Sequence, residues 1–164
     1  HLQRRRQRQM CIRDRPKLEG YDYILKRQLK PEAPKKYFEI LNEIGIIPTS
    51  MIDISDGLSS ELLHISKSSK VSVKIYEDKI PIDYTVMNKA AELNLNPIFC
   101  ALNGGEDYEL LFTIDQKEYS KLEKDPDFTI IGHVTDKSEG NFFISNDNQA
   151  HELTAQGWDS LKSS

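Results

Sequence analysis

Sulfur and tryptophan are scarce in this chain, which has two Cys, three Met and one Trp among its 164 residues. Two cysteines exclude a disulfide-stapled scaffold and a multi-cysteine metal centre. Neither His64 nor His133 has a second His or Cys beside it at metal-ligand spacing. Hydrogen-bonded packing roles are expected of both, not zinc ligation. No apolar run approaches the roughly 20 residues that span a bilayer, and no charged, apolar, then small-residue signal pattern opens the chain. A membrane partner is not expected; a cytoplasmic location is. Internal repeats and low-complexity tracts are also missing.

Positive charge is short as well, and most unevenly placed. The formal net charge is −4, yet residues 1–15 hold six Arg, three Gln and almost nothing able to pack. A basic arm for nucleic acid is one reading of that tract. The other is a non-native tail, because Met10-Cys11-Ile12-Arg13-Asp14-Arg15 matches the translation of a sequencing-adapter end; such a scar is set aside in reasoning about fold. Without residues 1–15, the chain has 16 basic and 25 acidic residues and a formal net charge of −9. That is poor footing for nucleic acid. A protein so acidic needs divalent cations or local basic groups to bring phosphates in. Cys100 then remains as an unpaired thiol in the apolar run Ile98-Phe99-Cys100-Ala101-Leu102, expected to be buried and in a reducing compartment.

At this length, with 38% hydrophobic residues, one domain with one ordinary core is expected. The stretch from Pro16 to Lys30 reads as a linker. Apolar spacing predicts a helix over 34–43, stopped by Gly45, then a strand over 51–55 and a helix over 57–69. Val71, Val73 and Ile75 alternate as a strand, and Val86, Ala90 and Leu93 suggest a helix. A Gly104-Gly105 turn, a strand over 107–114 and a helix over 116–124 follow. Strands over 128–134 and 141–144 flank a charged turn at 135–140. Interspersed strands and helices without a strict βαβ rhythm predict an α+β layered domain.

Two segments about fifty residues apart carry the chemistry: Ser50-Met51-Ile52-Asp53-Ile54-Ser55-Asp56-Gly57-Leu58 and Asn103-Gly104-Gly105-Glu106-Asp107-Tyr108-Glu109-Leu110-Leu111. Each sets carboxylates beside glycine at a turn flanked by apolar residues, an arrangement that offers oxygen ligands to magnesium and amides to phosphate. Ser55 and Asp56 fall at a helix start, where either can cap the free amides and where the amides and helix dipole favour a phosphate. Asp53 precedes the turn, and an ionised carboxylate among Met51, Ile52 and Ile54 requires a cation or hydrogen-bond donors. A plainer reading stands beside this one. The first segment can be an N-cap and turn. In the second, Tyr108, Leu110, Phe112 and Ile114 can be the core face of a strand, with Glu106, Asp107 and Glu109 solvated at its edge.

Together the two segments closely resemble the signature stretches of the thiamine-monophosphate kinases, in the superfamily that includes aminoimidazole ribonucleotide synthetase and selenophosphate synthetase. The resemblance extends to Arg27-Gln28-Leu29-Lys30-Pro31-Glu32-Ala33, to Ile131-Gly132-His133-Val134-Thr135 and to Leu153-Thr154-Ala155-Gln156-Gly157-Trp158. It runs from about Tyr21 to Leu161 in the order of the family's C-terminal half; the N-terminal ATP-binding half is expected to be missing from residues 16–164.

The resemblance implies a sheet with packed helices that docks on the ATP-binding half, and transfer of the γ-phosphoryl of ATP to thiamine monophosphate with Mg2+. It implies Asp53 and Asp56 as magnesium ligands, Ser55 as an ATP contact, and Glu106 and Trp158 as substrate contacts. Asp107 and Glu109 are left as structural charges. No general base is implied, because the acceptor is already an ionised phosphate and the task is to bring two anions together. The complete enzyme is expected to be a homodimer and the isolated fragment inactive. Two alternatives remain: another ATP-dependent member of the superfamily, or a non-catalytic phosphate- or metal-binding module.

Overall fold

The structure is a computed structural model and describes residues 22–31, 35–106 and 108–155. The described chain opens with helix α1 (Asp22–Leu29), where a linker is expected from sequence. Its charges explain the difference: Asp22 lies in the first turn and Lys26 and Arg27 in the last, each complementing the helix dipole. Helix α2 (Lys35–Glu43) buries Leu41, and Gly45 ends it as expected.

Strand β1 (Ser50–Asp53) leads through the first motif into helix α3 (Leu58–Ser69) and then strand β2 (Ser72–Tyr76). Leu58, Leu62 and Ile65 recur at helical spacing and are buried, which sets the face α3 turns inward. Lys70 closes the helix in the left-handed conformation, its amide bonding the carbonyl of Ser66. Helices α4 (Tyr84–Glu92) and α5 (Pro97–Asn103) follow, each entered through a side-chain cap, Asp83 and Asn96 respectively. The run around Cys100 is therefore helical and none of α5 is fully buried; Phe99 is 52% exposed. Pro97 at the first helical position and Asn96 before it supply a helix start that the apolar run alone conceals.

Strand β3 (Leu110–Thr113) carries the second motif onward. The helix expected over 116–124 is a 3-10 turn, Gln116–Glu118, followed by a short helix α6 (Tyr119–Leu122). Strands β4 (Gly132–Thr135), β5 (Phe142–Ile144) and β6 (Ala150–Glu152) complete the described chain. Strand β6 has no sequence signal, being exposed throughout and held by pairing to β5.

The strands form two sheets: an antiparallel ribbon of β1 with β3, and a four-stranded mixed sheet in the order β4-β2-β5-β6. Within the larger sheet β2 pairs antiparallel with β4 and parallel with β5. One core gathers Leu58, Leu62 and Ile65 of α3, Val73 and Ile75 of β2, and Ile80, Leu111 and Leu153. A smaller core holds Leu41, Ile46 and Leu122, with Met51, Phe112 and Ile114 against it. The ribbon lies between the two. Its register pairs Ile52 with Leu111 on the larger core and Met51 with Phe112 on the smaller. Strand β3 thus buries both faces, where alternation predicts one. The domain is α+β, as its interspersed pattern predicts.

Candidate functional site

The ribbon does not stop at its last paired strand residues. Beyond Asp53 the main chain continues to pair: the amide of Ile54 donates to the carbonyl of Glu109 at 2.8 Å, that of Tyr108 to Ile54 at 2.9 Å, and that of Glu106 to Ser55 at 2.8 Å. These three bonds lay the second motif alongside the first. The approach is so close that a Cβ on Gly105 would stand 2.5 Å from the Ser55 carbonyl oxygen. Gly57, at φ +118°, packs on the end of α5, where a Cβ would lie 3.0 Å from the Leu102 carbonyl oxygen. Both glycines are needed for clearance, and Gly57 for its backbone conformation as well. Glu106 and Tyr108 also have positive φ, at 69° and 54°, so the second turn is strained for residues bearing a Cβ.

Asp53, Ser55, Asp56 and Glu106 are thereby brought to one end of the ribbon. Asp53 is exposed, which corrects the expectation that its carboxylate is desolvated among its apolar neighbours. Those neighbours point into the two cores, whereas Asp53 ends the strand at the surface. Asp56 is also exposed, and Ser55 and Glu106 are half-buried. Trp158 lies outside the described residues, as does Asp107.

Neither Ser55 nor Asp56 caps α3. The capping position belongs to Gly57, and no side chain bonds the helix start there. The acceptor is instead Glu61, one turn into the helix. Its Oε1 receives the amide of Asp56 at 2.9 Å, the amide of Ser55 at 3.1 Å and the Ser55 hydroxyl at 3.1 Å. Glu61 is only 2% exposed. Burial opposes its ionisation, but the amides of Asp56 and Ser55 and the hydroxyls of Ser60 and Ser55 outweigh it, holding the carboxyl below its usual value. The sequence reading misses Glu61, although one signal is present: it shares the apolar face of Leu58, Leu62 and Ile65, where a charged residue needs a partner.

Glu109 forms an ion pair with Arg27 of α1, consistent with a structural role. His64 is exposed on α3 and so is not a packing residue, because it falls on the helix face opposite the core. His133 is exposed too, its ring stacked on Tyr76 with centroids 5.8 Å apart. Among the described residues no group of three or more His, Cys, Asp or Glu side chains gathers as a metal site. Two exposed carboxylates, one at the end of β1 and one in the turn that follows, nevertheless suit magnesium, which takes one or two protein carboxylates, keeps several waters and completes its shell with substrate phosphates. They do not make an all-protein calcium or zinc cage.

No protein-family model matches the chain. A curated relative from Pyrococcus horikoshii named thiamine-monophosphate kinase is 42% identical over 145 residues, covering 88% of this chain and 44% of the relative. The chain resembles the thiamine-monophosphate kinases. The thiamine-monophosphate kinase of Escherichia coli K12 is 34% identical over 146 residues, covering 84% of this chain and 42% of the enzyme. Among solved structures, AaThiL complexed with AMPPCP and TMP superposes with a TM-score of 0.73 at 28% identity, covering 92% of this chain and 45% of that one. The hydrogenase maturation protein HypE of E. coli shares the fold alone, with a TM-score of 0.60 at 16% identity, over 76% of this chain and 40% of its own. The chain thus spans less than half the length of these thiamine-monophosphate kinases. No helix among its described residues is long and apolar enough to cross a membrane.

Proposed function

We infer that this chain supplies the C-terminal part of an ATP-dependent kinase that phosphorylates thiamine monophosphate to thiamine diphosphate. The observation that carries the reading is the main-chain pairing of the two motifs, which brings Asp53, Ser55, Asp56 and Glu106 to one end of the ribbon. The relatives named thiamine-monophosphate kinase, and the neighbour complexed with AMPPCP and TMP, support the choice of reaction.

In this reading Asp53 and Asp56 hold Mg2+, which when bound neutralises the charge of the transferring phosphoryl group. Ser55 contacts the nucleotide and Glu106 the acceptor; Trp158, beyond the described residues, is a second acceptor contact. The side chains contribute positioning and charge balance, with no covalent nucleophile among them. The remaining metal ligands and most of the nucleotide site lie in an N-terminal domain, on which this domain docks in a cytoplasmic homodimer. Residues 1–15 are a non-native tail.

The test is reconstitution. The 164-residue chain, given ATP, Mg2+ and thiamine monophosphate, is expected to make no thiamine diphosphate, and fusion to the N-terminal half of a related kinase should restore the product. In the fusion, Asp53→Asn should slow turnover by about 100-fold, the loss of roughly 3 kcal/mol of transition-state stabilisation. Turnover by the chain alone, or a fusion that phosphorylates some other acceptor in preference, overturns the reading.

A further inference from the structure

A turn entering a helix ordinarily offers its free amides to an anion. Here the two amides of the turn itself, those of Ser55 and Asp56, are already taken. The Ser55 and Asp56 amides and the Ser55 hydroxyl all converge on Oε1 of Glu61. The Ile54 amide bonds Glu109, and those of Ser60 and Glu61 bond the carbonyl of Gly57. Between them, Gly57, Leu58 and Ser59 are buried, with Gly57 against the end of α5. What the first motif leaves at the surface is two carboxylates, Asp53 at the end of β1 and Asp56 in the turn.

We propose that Glu61 is a built-in anion that fills the amide nest at the start of α3, fixing the shape of the Ser55-Asp56 turn and barring phosphate from its amides. The turn then accepts cations, and a polyphosphate reaches it only with a divalent ion between the two. Its place in the reaction rests on the kinase reading above; the occupancy of the nest by Glu61 does not. Glu61 is a positioning residue: it acts on the site through Ser55 and Asp56 and touches neither substrate.

Amide NMR on the 164-residue chain tests this with inorganic phosphate as the probe. In the wild type without magnesium, millimolar phosphate should leave the Ser55 and Asp56 amide signals unmoved. In Glu61→Ala, hydrogen exchange at those two amides should quicken by about tenfold or more, phosphate should now shift them, and the amides of Val73 and Ile75 should keep their protection. Glu61→Gln, which keeps the side-chain shape and a weaker acceptor, should fall between the two. Glutamine also serves should alanine fail to fold, and the wild-type titration needs no variant. Phosphate shifting the two wild-type amides without magnesium overturns the proposal, as does wild-type exchange at both amides in the substituted chains. If, in the fusion to the N-terminal half of a related kinase, Mg2+ with ATP moves neither Asp53 nor Asp56 while the exchange results hold in the 164-residue chain, the kinase reading fails and the role of Glu61 stands.

Discussion

The two turns that meet at the candidate site are held by opposite means. The first, Ser55 to Gly57, is fixed by a side chain, the buried carboxylate of Glu61. The second, Gly104 to Tyr108, is positioned by main-chain bonds to the first and by a glycine that lets the two backbones touch. A turn held by one carboxylate is sensitive to that group's chemistry. A turn held by contact is sensitive to volume. The lesson is that acidic turns of similar composition, 50 residues apart, need different substitutions to dislodge them.

The largest effect is expected where volume is critical. In Gly105→Ala the new methyl would sit 2.5 Å from the Ser55 carbonyl oxygen and 3.3 Å from the Asp56 Cα, and neither atom belongs to a side chain that can swing aside. Overpacking against backbone should cost roughly 3 kcal/mol, the upper end of its usual range. A urea melt measures the loss. Amide exchange should show Glu106 and Tyr108 losing protection first, with the Glu61 bonds to the first turn kept. If both turns loosen equally, they are one unit and the contrast fails.

Glu61→Gln probes the other turn. Weakening a buried acceptor that serves three donors should cost about 1–3 kcal/mol at neutral pH. The sign with pH follows from its carboxyl being held below the ordinary value of 4.5 in the fold. The unfolded chain then binds more protons, so this contribution is complete above that ordinary value and is lost as pH falls through the folded one. The gap between wild type and glutamine variant should therefore close in acid. A gap constant with pH would mean that shape, not charge, holds the first turn.

Much of this arrangement can be read from residues alone, for identifiable reasons. The 3.6-residue spacing of Leu58, Leu62 and Ile65 and the alternation of Val73 and Ile75 are local signals that the tertiary structure leaves intact. The likeness of the two motifs to a kinase family needs only their order in the chain. What escapes is set by contacts between distant segments. Strand β6 exists because β5 presents a free edge, and β3 buries both faces because a second core lies behind the ribbon. The exposure of Asp53 depends on where β1 ends. Glu61 is the instructive case: a lone acidic residue on an apolar helix face announces a buried partner, but its partners are backbone amides five and six residues earlier, which no side-chain pattern reveals.

The smallest effect expected is at Asn96, and it separates the second turn from the helix that leads into it. The Asn96 Oδ1 accepts the amides of Ile98 at 2.8 Å and Phe99 at 3.2 Å, so Asn96→Ala removes the cap of α5 at a cost of about 1 kcal/mol. The first turn of α5 should fray, and exchange at Ile98 and Phe99 should quicken. Glu106 and Tyr108 should stay protected, because their bonds run to Ser55 and Ile54 in the ribbon and not to α5. The C-terminal end of α5 should also persist, since Gly57 rests on Leu102 and Asn103 there. Should Asn96→Ala strip protection from Glu106 and Tyr108 as fully as Gly105→Ala does, the second turn would be held by its helix, and the backbone contact with Ser55 would be a consequence of that and not its cause.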